Sequence, residues 1–311
     1  VGNKATLSSL EDELLIKLND FYKKNYSANL MKLVLVGKQS PKELKKLAKK
    51  YFSKIKNNNI ERPVTSIPSY RKSDLGKNIY IKSKVKSPEL VIEFAIQDNS
   101  SRWRSKPNEY VEMLLNSQEP NSLMTMLSEE GYIQEGSASI QQNGWGADGS
   151  AFISYTLTDK GVAEKEFIIS STFNYIDLVK TNGVNDKYFN ELAGINKIQF
   201  EDYKSPEALQ LAVSFAFKIY DVPLKNIIDS SYVTSDYSEE AINNLLGNFN
   251  PATARIYHIS PNEIIENELK YADGGFRVES LNLASLNVSN QEIKLALPEP
   301  QLIELDDEEV L

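Results

Sequence analysis

Leu33 to Val36 is a continuous apolar run between two helical patterns, and it limits what this chain can fold into more than any other feature. Such a run reads as a strand covered on both faces, and one strand cannot satisfy its own backbone N–H and C=O groups. It needs a sheet. The residues before it offer only a helix: Ser8-x-x-Glu11 is a capping box, and Leu10, Leu14, Leu18 and Phe21 form a stripe at helical spacing. After it, Ser40-Pro41-x-Glu43 caps a second helix with proline at its first position, and Leu44, Leu47, Tyr51 and Phe52 are its expected buried face. Either this strand joins a sheet made much later, or the chain starts in the middle of a domain.

A length of 311 residues with 41% hydrophobic content can supply one large core or two ordinary ones. No apolar run approaches the roughly 18 residues a membrane-spanning helix requires. A net charge of -8, with lysines and arginines scattered among carboxylates, argues against nucleic acid as a partner. Cysteine is absent, which excludes disulfides, thiolate metal sites and cysteine nucleophiles. The single histidine is more restrictive still, because zinc hydrolase sites usually take two or three and a serine triad takes one as its base. His258 lies in "ARIYHISP", where Arg255, Tyr257 and Ile259 alternate with Ile256 and His258. It reads as a hydrogen-bonded or half-exposed strand residue.

From Lys56 to Lys77 the chain is polar, carries two prolines and lacks periodicity, as an interdomain linker would. Strands are then expected at Ile79–Ile81 and around Leu90, Ile92, Phe94 and Ile96. Helices follow around Tyr110, Leu114 and Leu115, with Pro107 near the start, and at Leu123 and Leu127, closed by Gly131. Two more strands, Tyr132 to Gln142 and Ser150 to Thr158, are joined by "NGWGADG". Next comes a helical block. Its first helix carries Val162, Ile169, Phe173 and Ile176 and is closed by Gly183; later ones carry Tyr188, Leu192 and Ile195, open at Ser205-Pro206, run briefly from Leu224 to Ser230, and are capped by Ser238. Ala254 to Ile259 returns to strand, and the proline-spaced, acidic end reads as a tail. Strands, helices, strands, a helical block and a closing strand make an α+β fold, with a mostly antiparallel sheet and helices massed on one face.

Other groupings carry little chemistry. Glu129 and Glu130 are adjacent on a helix, point in different directions and read as solvated surface. Asp306 to Glu309 lacks the alternating ligands and central glycine of a calcium loop. "NGWGADGS" has too few ordered glycines, and no following lysine, for a phosphate loop. Met124 and Met126 are two apart on a helix, so one is expected in the core and the other at the surface.

"GNKATL" at Gly2 to Leu7, "FYKKNYSANLMKLVLVGKQSPKELKKL", "KPNEYVEMLLNSQEPNSLMTMLSEEGY", "SYTLTDKG", "YFNEL" and "ARIYHISP" together resemble the insulinase, or pitrilysin, family of zinc metallopeptidases. The likeness is colinear from Gly2 to about Phe276 and looser to Leu311. It implies α+β domains of about two hundred residues, paired into halves that enclose a chamber. Residues 1–59 then look like the end of a first, catalytic domain, 60–77 a linker, 78–262 a second, non-catalytic domain, and 263–311 an extended connector. The strand at Leu33 would pair with strands encoded upstream of Val1.

The family's zinc site is an inverted H-x-x-E-H motif, and that motif is absent here. Two imidazoles one helical turn apart hold such a metal, and a chain with one histidine cannot build the pair. The resemblance therefore implies a non-catalytic segment, with no cofactor of its own and zinc in the parent enzyme. Its implied partners are peptides and the remaining domains of the parent. The alternative is a naturally short, inactive member that assists a separate catalytic subunit. The implied compartment is the periplasm, with the cytoplasm as the alternative. The resemblance also implies a remote site in the second domain that anchors substrate as an added strand. Gly136, Ser137, Ala138, Ser139 and Ile140 match that edge in position, and their small side chains suit backbone pairing with a peptide. Small residues could equally let a helix pack close.

Overall fold

Leu90, Ile92, Phe94 and Ile96 alternate with Val91, Glu93 and Ala95, and the first four are between 0% and 2% exposed. That two-residue period defines the sheet face on which the helices pack. The computed structural model describes residues 11–63, 67–143, 148–204, 206–269, 273–282, 294–301 and 303. Two compact units emerge: residues 1–64 with 202–230, and residues 65–201 with 231–311.

The second unit holds a seven-stranded sheet: β1 (Lys77–Lys82), β2 (Glu89–Ile96), β3 (Ile133–Gln141), β4 (Gly149–Leu157), β5 (Arg255–Ser260), β6 (Asn267–Glu268) and β7 (Gly275–Ser280). Their order is β3-β4-β2-β5-β1-β7-β6. Every pairing is antiparallel except β1 with β5. In this unit α1 (Pro107–Leu115), α2 (Leu123–Glu129), α3 (Asp159–Ala163), α4 (Lys165–Asn182), α5 (Asp186–Glu201) and α6 (Glu239–Gly247) supply the helical layer. The fold is α+β, as the sequence implies.

Large side chains lock the layers together. The Phe94 ring sits 4.8 Å from Phe249 and 6.0 Å, edge on, from Phe173. Buried tyrosines find partners for their hydroxyls: Tyr110 donates to the Gly183 carbonyl at 2.6 Å, Tyr175 to the Leu114 carbonyl at 3.1 Å, and Tyr155 shares a 2.8 Å bond with Thr172. Burial raises the pKa of all three phenols. Gly131 takes φ +74, the left-handed cap expected after α2. Gly183 does not: its φ is −90, and a β-carbon there would lie 2.7 Å from the Val179 carbonyl oxygen, so it serves close approach.

Several sequence expectations need correction. The single helix expected from Val162 to Gly183 is two, broken at Glu164 (φ −120, ψ 39), with Val162 38% exposed. The stretch 263–311, expected as an extended connector, contains β6 and β7, and β7 pairs with β1 along its whole length. Residues 294–301 and 303 then return to the helical layer: Ala296 N–H donates to the Asn121 carbonyl, Tyr188 hydroxyl to the Pro298 carbonyl at 2.6 Å, and Ile303 lies against Gly194. Part of the presumed linker is also docked, since Ser69 bonds Asp148 and Tyr70 reaches Glu93. Met124 is in the core and Met126 only partly buried. Ser8, Ser205, the loop residues 144–147 and the Asp306–Glu309 run lie outside the described residues.

In the other unit, α7 (Glu11–Asn25), α8 (Pro41–Phe52) and α9 (Ala208–Lys218) are formed. The α8 capping box is complete, with Ser40 Oγ accepting from Glu43 N–H and Glu43 accepting from Ser40 N–H. The expected burial of its apolar face is not found: Leu47, Tyr51 and Phe52 are 38%, 63% and 42% exposed. Leu33 to Val36 is in no ladder among the described residues. What knits this unit is polar. Asn58 N–H donates to Ser27 Oγ, Ala28 N–H to the Lys56 carbonyl and Asn29 to the Ile60 carbonyl.

Candidate functional site: the outer edge of β3

The five residues from Gly136 to Ile140 lie together on β3, which among the described residues ends the sheet and has β4 as its sole strand neighbour. Register runs Gly136 to Tyr155, Ser137 to Ser154, Ala138 to Ile153, Ser139 to Phe152 and Ile140 to Ala151. Ala138 and Ile140 face the helices and are buried, whereas Ser137 is exposed. Gly136 has to be small. A β-carbon there would lie 2.6 Å from Met124 Sδ and 3.2 Å from the Tyr155 ring. Beside it, on the sheet face away from the helices, a cleft of about 180 Å³ is lined by Glu89, Val91, Glu135, Gly136, Ser137 and Thr156.

The edge is not bare. Asn116, at the end of α1, accepts a hydrogen bond from Ala138 N–H at 2.7 Å and donates one to the Ala138 carbonyl at 2.8 Å. One turn earlier Glu112 accepts from Ile140 N–H. Pro107 at the first position of α1 and the burial of Tyr110, Val111, Leu114 and Leu115 fix the helix so that Glu112 and Asn116, four apart, share the side along β3. Burial holds the Glu112 carboxyl above the usual range, partly opposed by the Ile140 N–H. Because Ala138's groups point to Asn116, the alternation of an antiparallel ladder turns those of Ser137 and Ser139 toward β4. The five residues are thus not equivalent: Gly136, Ala138 and Ile140 address the outer edge.

Sequence reasoning missed Asn116 and Glu112, and it missed a second polar cluster on the opposite face of the sheet. Glu93, 4% exposed, accepts from Tyr70 hydroxyl at 2.5 Å, Tyr257 hydroxyl at 2.5 Å and Arg255 Nη1 at 2.8 Å. Tyr70 also shares a 2.6 Å bond with Ser150. Burial and Glu93 together raise both phenols.

The one histidine is spoken for. His258 is 5% exposed, its Nε2 lies 3.1 Å from Asn78 Oδ1, and its ring stacks on Tyr80 at 4.6 Å. Burial, with Lys165 and Arg277 nearby, holds its pKa down to about 3. A zinc ion does not fit these residues: the imidazole has no partner imidazole in the sequence, and no group of three potential ligands occurs among the described residues.

The family profile described as "Peptidase M16 inactive domain" matches residues 16–194, and "Middle or third domain of peptidase_M16" matches residues 200–302. Protease 3 of Escherichia coli is 29% identical over 302 residues, covering 96% of this chain and 31% of the relative. The crystal structure of pitrilysin superposes with a TM-score of 0.86 at 29% identity, covering 92% of this chain and 31% of that one. The periplasmic protease PqqL from Escherichia coli shares the fold at 14% identity, with a TM-score of 0.57 over 79% of this chain and 28% of that one. The chain thus spans about a third of the length of the relatives it matches. With its larger part covered by the inactive-domain profile and its only imidazole buried against Asn78, the chain belongs to the peptidase M16 family as non-catalytic sequence.

Proposed function

We propose that this chain serves a pitrilysin-like zinc endopeptidase that degrades peptides, as chamber wall and as the surface on which substrate is anchored away from the metal. The observation that carries the reading is β3. It ends the sheet, presents Gly136, Ala138 and Ile140 along its outer side, and borders a cleft where Glu89 and Glu135 could receive a cationic group. Backbone pairing with an extended peptide needs such an edge. On this reading zinc belongs to another domain of the parent, residues 1–59 close that preceding domain, and 78–262 form the next, with 202–230 an excursion from its sheet. The apolar side chains of α7, α8 and the Leu33–Val36 segment would then be covered by parts of the parent outside this sequence. The periplasm is the proposed compartment, the one named for PqqL.

Titration calorimetry of the chain with extended peptides, alongside metal analysis and a cleavage assay, tests this. The expected result is peptide binding without stoichiometric zinc and without cleavage. One tightly bound zinc coupled to metal-dependent cleavage overturns the non-catalytic role, and failure to bind any extended peptide overturns the anchoring role.

A further inference from the structure

An antiparallel strand added to β3 would make two hydrogen bonds to Ala138, accepting its N–H and donating to its carbonyl. The Asn116 carboxamide makes both, at 2.7 and 2.8 Å, and its second amide hydrogen is held by the Glu112 carbonyl at 2.9 Å. Every donor and acceptor is matched in only one orientation of the amide. Glu112 adds an acceptor for Ile140 N–H, so two successive outward positions are filled by side chains of one helix.

We propose that Asn116 and Glu112 form a displaceable cap on the outer edge of β3, and that an extended peptide added there takes the place of the Asn116 carboxamide. This rests on the reading of the edge as a peptide site. The cap is made of side chains, so it leaves by rotation about side-chain bonds, with no strand to unzip. Asn116 and Glu112 are only half-buried, which leaves them open to a competitor in solvent. Gly136 has the same parity as Ala138, and no side chain caps it among the described residues, which makes it the foothold from which an added strand advances. The cap also has a use without ligand, since a bare edge invites pairing with other chains.

The test uses the full chain, isotope-labelled, and a capped octapeptide rich in threonine and valine as probe. On saturation the Asn116 side-chain amide signals should move to solvent-like positions, and the amides of Gly136, Ala138 and Ile140 should shift more than those of Ser137 and Ser139. Asn116→Ala should bind the probe about tenfold tighter, because two hydrogen bonds no longer have to be broken. Ala138→Pro in the Asn116→Ala background should abolish that gain without touching the β4 ladder. Binding at β3 with equal affinity in wild type and Asn116→Ala, or with the Asn116 signals unmoved, overturns the cap and leaves the edge as a peptide site. A probe that perturbs no β3 amide in either protein overturns the peptide site, and the cap falls with it. Should Asn116→Ala fail to fold, the wild-type side-chain signals decide alone.

Discussion

Tyr70 donates its hydroxyl to Glu93 Oε1 at 2.5 Å, tying a stretch that reads as linker to the middle of the sheet. Tyr257 and Arg255 approach the other carboxylate oxygen. Their partner charge is almost fully buried, so what matters is what is left when it goes. Glu93→Ala strands a half-buried guanidinium and two half-buried phenols and should cost about 3 kcal/mol in urea unfolding. Tyr70→Phe removes one donor from a charged acceptor and should cost about 1.5–3 kcal/mol. Equal, small losses for both variants would show that the cluster is solvated in practice.

His258 makes stability depend on pH with a definite sign. Its pKa is about 3 in the folded chain against about 6.5 for an ordinary histidine, so below pH 6.5 the unfolded chain takes up a proton that the folded chain refuses. The resulting stability is complete above pH 6.5, falls as pH drops, and is exhausted near pH 3. Lys165 and Arg277, near the ring, add to burial in opposing its protonation. His258→Phe keeps the stack on Tyr80 but does not titrate. Unfolding midpoints at pH 7.5 and pH 4.5 should therefore differ less in the variant than in wild type, by on the order of 1–3 kcal/mol. An identical pH dependence in the two proteins would show that the ring is neutral for no energetic reason.

Much of the sheet is legible in the sequence because its alternation is deep: Leu90 to Ile96 and Ala151 to Leu157 bury every second residue almost completely. β7 escaped because its alternation is shallow; Val278 is 45% exposed and most of the strand is open. Glu93 sits at a position that alternation assigns to solvent, and its burial needs Tyr70, from a segment without periodicity, together with Tyr257 and Arg255 of β5. Asn116 reads locally as an ordinary helix end, and its bonds to a strand 22 residues later are a tertiary fact. The opposite error occurs in α8. Spacing identifies Leu47, Tyr51 and Phe52 as a face that wants cover, and cannot say whether this chain supplies it.

Two glycines in short helices should respond oppositely to alanine. At Gly161 a β-carbon would lie 2.0 Å from the Tyr132 carbonyl oxygen, which is backbone and cannot swing aside. Gly161→Ala should destabilise by about 1–3 kcal/mol or more. Gly247, the last residue of α6, has nothing within 4 Å of the same position and no positive φ. Gly247→Ala should stabilise by about 0.4–1 kcal/mol, through the narrower unfolded ensemble. Urea midpoints of the two variants, moving in opposite directions from wild type, check the pair.

The unit containing α7, α8 and α9 should open first. Between residues 13 and 63 the sole buried residue is Ser27, and between 206 and 230 it is Ser230. Leu18, Phe21, Leu33, Tyr51 and Phe217 are all more than two-fifths exposed, so helix formation here is not backed by removal of apolar surface from water. Isolated helices of 11 to 15 residues are marginal on propensity alone. The α8 capping box satisfies backbone groups at one solvent-exposed helix end, which cannot replace a core. Amide exchange on the monomeric chain should therefore show α7, α8 and α9 exchanging at low protection, while β2, β4 and β5 exchange only through global unfolding. A gain in protection at Leu33 to Val36 on adding the preceding part of a parent chain would identify what that segment pairs with. Equal protection of both units in a verified monomer would mean that the exposed apolar face is stable uncovered, and would remove the main physical reason for assigning it to an interface.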